Sequence, residues 1–532
     1  MGFSPSRRGR SSSTESHSKT ADSIGDDVRR ARRSLHARKP SLCRRVRNAV
    51  MFLSFAGLAG VVLAGYLSDH ALGHVQHTPQ SRFADWDERR EKVRDAFVTS
   101  WNAYSKYAWG NDVFHPLSKK GSNMSPEGLG WIVVDSLDTM MLMNLTEPLA
   151  EARRWLHRSL TWDQDQDVNT FETTIRMVGG LLSAHHLSTK LPGVASRRDS
   201  VYLSKAVDLA DRLSAAFESE SGIPHASVNI GRREGIASHA DGGSSSTARG
   251  RDCPTGDEAE RVMRVLDDQK MEGGLLPIFV HPNHGRFTTR EIRLGSRGDS
   301  YHEYLIKQYL QTGETIYRDM WEDALDGIQT HLVTTTRNAA LRYIAELPSG
   351  VGGGLSPKMD HLVCFLPGTV AMATTQGRPL SEARRGPGWT SPHEDEMQLA
   401  VDLMDTCWGM YAVTDTGLAP EITWFNATDA DLQSRPGDRV HRNPSSALSR
   451  WKQDFAIKPL DAHNLQRPET VESLFVMYRV TGDAAYRERG WAIFQSFRKP
   501  RSRARRGGGT RVSATSGRCR RRRATTWRAF GW

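Results

Sequence analysis

Leu294 to Tyr309 reads Leu-Gly-Ser-Arg-Gly-Asp-Ser-Tyr-His-Glu-Tyr-Leu-Ile-Lys-Gln-Tyr. A glycine-punctuated loop runs straight into a helical pattern. Tyr301, Tyr304, Leu305 and Tyr309 fall on one face of a 3.6-residue period. Asp299 and Ser300 stand where N-cap residues belong, and Glu303 follows in the first turn. Arg297 lies two residues before Asp299. Alone, the stretch is a capped helix start with a local ion pair. It becomes a site if other carboxylates converge on it.

The pattern has an echo. Thr312-Gly313 follows this helix, with Tyr317-Arg318 shortly after, and Thr481-Gly482 and Tyr486-Arg487 repeat the spacing. Both read as a helix, a glycine stop, a turn and the next helix. Repeated helical hairpins imply an open solenoid or a closed helical barrel. Few runs show strand alternation. The expected class is all-α.

Of 72 Lys/Arg and 61 Asp/Glu, residues 1–48 hold 13 basic and 4 acidic, and residues 498–532 hold 13 basic and none acidic. The remainder, 46 basic against 57 acidic, is an acidic core. The high pI therefore belongs to the ends and argues for no nucleic-acid partner. Residues 1–48 read as a disordered basic cytoplasmic tail. Ala49 to Leu67 is uncharged and close to the ~20 residues that span a bilayer. Arg44, Arg45 and Arg47 before it keep the N-terminus cytoplasmic, giving a single-pass type II anchor. Residues 68–84 are then a stem, and the core is lumenal. Asn123-Met-Ser, Asn144-Leu-Thr and Asn426-Ala-Thr are sequons for that compartment.

Further carboxylates sit at helix starts. Glu172 lies four residues before Arg176, among Phe171, Ile175, Val178, Leu181 and Leu182, a rather apolar setting. Glu469 and Glu472 follow Arg467-Pro468. Glu421 follows Ala419-Pro420, and His361 lies in Met359-Asp-His-Leu-Val-Cys. Each alone is an ordinary dipole-favoured acid, or a core histidine. Together, carboxylates beside arginines suit glycoside hydrolysis, which needs one protonated acid and one ionised base about a sugar ring. Arginine lowers a carboxyl pKa and apolar burial raises it, so the two roles can separate.

Phe171-Glu-Thr-Thr-Ile-Arg, Gly295-Ser-Arg-Gly-Asp-Ser-Tyr, Met359-Asp-His-Leu-Val-Cys-Phe-Leu-Pro-Gly, Ala419-Pro-Glu-Ile and Arg467-Pro-Glu-Thr-Val-Glu-Ser stand in one order along residues 85–497. In this the chain resembles the class I α-1,2-mannosidases, glycoside hydrolase family 47. The resemblance implies an (α/α)7 barrel in the endoplasmic reticulum or Golgi. It implies calcium-dependent, inverting removal of α-1,2-linked mannose from high-mannose N-glycans. By motif, Glu172 matches the general acid, acting through a water, and Glu469 the general base. Asp299 and Glu421 match further active-site carboxylates. Arg176, Arg297, His361 and Glu472 match residues lining the sugar pocket, and Cys364 and Cys407 the family's disulfide.

Two departures stand out. Residues 248–257 replace a family helix, and the Arg-rich stretch 498–532 replaces the closing helices and the threonine that holds calcium. The barrel is therefore expected to be incomplete and the activity impaired. The alternative reading is a relative that binds mannose glycans without cleaving them, in glycoprotein degradation.

Overall fold

The computed structural model describes residues 85–236, 256–433 and 444–499. The basic tail 1–48, the anchor 49–67, the stem 68–84, the stretch 248–255, Cys43, Cys253, Cys519 and everything beyond 499 lie outside them. Among the described residues no helix is long and apolar enough to cross a membrane.

The chain is helix-rich, and its helices meet in pairs. The first half carries α1 (Trp86–Ala108), α2 (Trp131–Asp135), α3 (Thr146–Arg158), α4 (Thr170–Thr173), α5 (Gly179–Lys190) and α6 (Ser200–Leu213). The second carries α7 (Gly256–Asp267), α8 (Asp299–Thr312), α9 (Thr315–Gly327), α10 (Leu366–Thr375), α11 (Ser391–Ala412), α12 (Glu469–Thr481) and α13 (Ala484–Arg498). Close packing joins α5 to α6, α8 to α9 and α12 to α13, while α10 lies against α8, α11 and α12. Two apolar cores result. One runs through residues 101–230, around Trp162, Tyr202 and Leu137. The other runs through 223–493, around Leu305, Met404 and Met477.

The glycine echo is a structural repeat. Gly313 and Gly482 both have φ 76°, the left-handed turn that stops a helix. Each donates its N–H to the carbonyl four residues back, Tyr309 and Tyr478, at 2.8 Å. Open space lies where a Cβ would stand on either residue, so backbone conformation rather than room selects glycine. Gly368 is the opposite case. A Cβ there would come 3.0 Å from Ser473 Cα, which lets α10 lie close on α12.

Strands are present, but too short to announce themselves by alternation. β1 (Lys358–Asp360), β2 (Ile422–Phe425) and β3 (Phe455–Ala456) form one antiparallel sheet in the order β3-β2-β1. Its register pairs Asp360 with Ile422, and the His361 N–H donates to the Glu421 carbonyl at 2.9 Å. Two motifs 60 residues apart are thereby set side by side.

Cys364 and Cys407 are disulfide-bonded, tying the segment that carries His361 to α11. At the other end of the chain order, Arg89 of α1 lies over Trp86 and Trp491 at 4.4 and 5.0 Å and pairs with Glu488 at 2.9 Å. Cation–π and ionic contacts thus join the first and last described helices.

Asp454 anchors the β3 sheet. Its buried carboxylate accepts from the Thr336 hydroxyl at 2.6 Å, the Asn338 N–H and side-chain amide at 3.0 and 2.7 Å, and the Ala339 N–H at 2.7 Å. Asp454→Asn turns one accepting oxygen into a donor facing donors. We expect the denaturant midpoint to fall by the equivalent of about 3 kcal/mol. An unchanged midpoint would refute that role.

Candidate active site

Carboxylates collect in two groups. The first is built at α4. Asn169 caps that helix, its side-chain oxygen accepting the Glu172 N–H at 2.8 Å. The helix then widens into a π turn over Thr174–Val178, which carries Arg176. Gly180 allows this turn to sit against α2, since a Cβ there would meet the Val134 carbonyl at 3.2 Å. Arg176 donates to Glu172 at 2.8 Å and reaches Asp135 at 3.8 Å.

Glu172, Arg176 and Asp135 line a cleft of about 240 Å³ together with Asp112, Trp131 and Thr173. Asp112 shapes its rim by accepting the N–H groups of Met124, Leu129 and Trp131. The Trp131 indole N–H and the Thr173 hydroxyl are buried there without a hydrogen-bond partner. Burial pushes the Asp135 carboxyl up to about 7, with Arg176 opposing and Asp138 and Glu172 adding to the rise.

The apolar setting expected for Glu172 is not found. Its side chain is 40% exposed, and Ile175 is itself at the surface. The π turn inserts an extra residue and breaks the phase by which Ile175 was placed inside. The buried carboxyl of this group is Asp135.

The second group lies where α8 and α12 begin. Asp299 is the first residue of α8, and the preceding cap position is Gly298, with no side-chain cap. So Asp299 is not the cap residue its position in sequence suggested. It faces inward and accepts the Ser300 N–H at 2.7 Å. Burial raises its carboxyl to about 7, against that hydrogen bond, and the charges of Glu303 and Glu469 raise it further. Arg297 holds a left-handed backbone, φ 76°, and its guanidinium lies 4.8 Å over the Phe279 ring.

Glu469 opens α12 behind Pro468. Its Oε2 is buried without a hydrogen-bond partner, 3.5 Å from His361 Nδ1. His361 is oriented from its other side, with Nε2 at 2.9 Å from the Tyr411 hydroxyl and 3.0 Å from the Thr470 hydroxyl. Arg467 donates to Glu421 at 2.6 Å, and its charge is felt by Glu469 and Asp299 as well. Lys307 links Glu303 at 2.5 Å to Glu472 at 2.8 Å.

Asp299, Glu421, Glu469, Glu472 and His361 are therefore brought together, with Arg297 on the loop leading in. Glu172 and Arg176 stand in the first group, whose cleft is lined by residues between Asp112 and Arg176. Sequence reasoning passed over Asp135, Lys307 and Tyr411. Asp135 was visible as a lone carboxylate ending the apolar run Trp131-Ile-Val-Val. Lys307 was visible four residues after Glu303.

Calcium is a hard ion that takes six to eight oxygens. Among the described residues, no three His, Cys, Asp or Glu side chains are grouped to hold a metal. Glu421, Glu303 and Glu472 are already committed to Arg467 and Lys307. These residues do not make a calcium site by themselves.

The model of Glycosyl hydrolase family 47 matches residues 96–250 and 256–513. A mannosyl-oligosaccharide 1,2-alpha-mannosidase of Candida albicans is 46% identical over 431 residues, 78% of this chain and 71% of that one. The endoplasmic reticulum mannosyl-oligosaccharide 1,2-alpha-mannosidase of Saccharomyces cerevisiae is 44% identical over 443 residues, covering 77% and 78%. The Homo sapiens protein of that same description is 40% identical over 429 residues, covering 77% and 54%. Among solved structures, an alpha-1,2-mannosidase from Trichoderma reesei superposes with a TM-score of 0.64 at 24% identity, over 77% of this chain and 84% of that one. This last likeness speaks for the fold.

Proposed function

Because the chain belongs to glycosyl hydrolase family 47, we propose from its site how it works as a mannosyl-oligosaccharide 1,2-α-mannosidase, trimming mannose from high-mannose N-glycans. Glu469 is the general base that activates water. Glu172 is the general acid, acting through a second water. Asp299 and Glu421 complete the set of carboxylates, while Arg176, Arg297, His361 and Glu472 hold the sugar. The reaction inverts the anomeric centre, with the working carboxyls ~6.5–9.5 Å apart around the attacking water.

One observation carries this reading. Asp299, held up to about 7, shares its surroundings with Glu469, a carboxylate that keeps one oxygen free of hydrogen bonds. Carboxyls held in different environments are what glycoside cleavage uses. The fold belongs with this proposal as an (α/α)7 barrel. The relatives' names favour the endoplasmic reticulum, with residues 49–67 as the membrane anchor and the hydrolase lumenal.

The test is purified protein on a high-mannose glycan, with proton NMR following the released mannose. β-Mannose appearing first is the expected result. α-Mannose first would overturn inversion, and glycan binding without release would replace hydrolysis by the binding-only reading. A parallel assay in chelator tests calcium: loss of turnover supports calcium held largely by sugar hydroxyls and water, and unchanged turnover removes it.

A further inference from the structure

We propose that Lys307 is a positioning residue whose ammonium bridges Glu303 of α8 to Glu472 of α12 and thereby fixes the charge around Asp299 and Glu469. The inference rests on the hydrolase reading above for its link to turnover, but its electrostatic content can be measured without turnover.

The geometry is a bridge between two helices. Lys307 belongs to α8, one turn after Glu303, and its ammonium lies 2.5 Å from that side chain. It also lies 2.8 Å from Glu472 of α12, which is 165 residues away in sequence. Asp299 and Glu469 stand at the first positions of these same two helices. The ammonium therefore sits between an acid on each helix, one turn inside Asp299 and the proposed base Glu469.

The charged groups that act around this bridge come from several elements. Asp299, Glu303 and Tyr304 come from α8, and Glu469 and Glu472 from α12. Arg467 arrives from the segment before α12, already paired with Glu421. His361 comes from the turn before α10. α10 itself, Leu-Pro-Gly-Thr-Val-Ala-Met-Ala-Thr-Thr, brings no titratable group. Asp319 of α9 is turned out to solvent, paired with Arg318, and Asp323 acts on Tyr301 rather than on these acids.

Without the ammonium, Glu303 is a mostly buried carboxylate next to like charges. Burial already raises its pKa, Lys307 lowers it, and Glu472 and Glu469 raise it. Removing the cation leaves only the raising influences. Glu303 then binds a proton more readily, and once neutral it no longer raises Asp299, which titrates lower.

Lys307→Met and Lys307→Arg are compared with the parent chain in two ways. In turnover, the alkaline limb of the Lys307→Met pH–rate profile, set by Asp299, moves to lower pH by about one unit, with activity at pH 8 about tenfold lower. Lys307→Arg keeps the parent profile. In thermal unfolding, the deficit of Lys307→Met is large at pH 7.5 and closes towards pH 5. The sign follows from linkage: a carboxyl raised in the folded state favours folding at low pH, and that contribution is lost as pH rises. A packing role gives a deficit equal at both pH values and superimposable pH profiles, and that result overturns the inference. Absence of mannose release by the parent chain at any pH would sink the hydrolase reading instead, while the unfolding comparison still decides Lys307.

Discussion

Glu469→Gln will lower the rate of mannose release by about 10³-fold with little change in KM, as expected when a general base is removed. That factor corresponds to about 4 kcal/mol of transition-state stabilisation. The substitution keeps the shape of the side chain, and the altered oxygen has no hydrogen bond to lose. Folding should therefore be unaffected, and an unfolding curve matching the parent checks it. A second effect separates a lost base from a disturbed pocket. The Glu469 charge helps hold Asp299 near 7. With a neutral amide there, Asp299 titrates lower, and the alkaline limb of the residual activity moves to lower pH. More than a tenth of parental turnover would remove Glu469 from the role of base.

Much of this second group could be read from the chain before any coordinates. The helix beginning at Asp299 stops where the glycine signal puts it but starts ahead of the cap position the sequence suggested. Its buried face is only partly as the spacing indicated. Tyr301 and Leu305 are inside, but His302 and Ile306 are buried where Tyr304 and Tyr309 were expected. The reason is that α8 is covered on two sides, by α9 and α10, so the apolar stripe is wider than one heptad face. Convergence was not legible. Glu421 reaches His361 through a three-residue match between short strands, and Lys307 finds Glu472 across 165 residues. Neither leaves a periodic trace. The Cys364–Cys407 bond followed from family resemblance, not from spacing. The setting of Glu172 was misread for a local reason, since a π turn is invisible to a rule that assumes 3.6 residues per turn.

Glu172→Gln should be the other large effect, and its size should depend on the leaving group. A general acid protonates the departing oxygen, so its loss matters most when that oxygen belongs to a poorly leaving sugar. On a mannosyl-mannose linkage we expect a loss of about 10³-fold. On α-mannosyl fluoride, whose leaving group needs little protonation, the loss should shrink to about tenfold or less. Glu469→Gln should show no such relief, because water must still be activated for either substrate. The cleft offers a rival for the acid. Asp135 is buried, titrates at about 7 and reaches the same arginine as Glu172. If Glu172→Gln is equally impaired on both substrates, Glu172 only holds Arg176 in place. The proton must then come from an acid kept protonated by burial, and Asp135→Asn should show the leaving-group dependence instead. Arg176 makes the two cases separable. Once Glu172 is neutral, its raising effect on Asp135 is gone while Arg176 continues to lower it, so a profile governed by Asp135 must shift to lower pH.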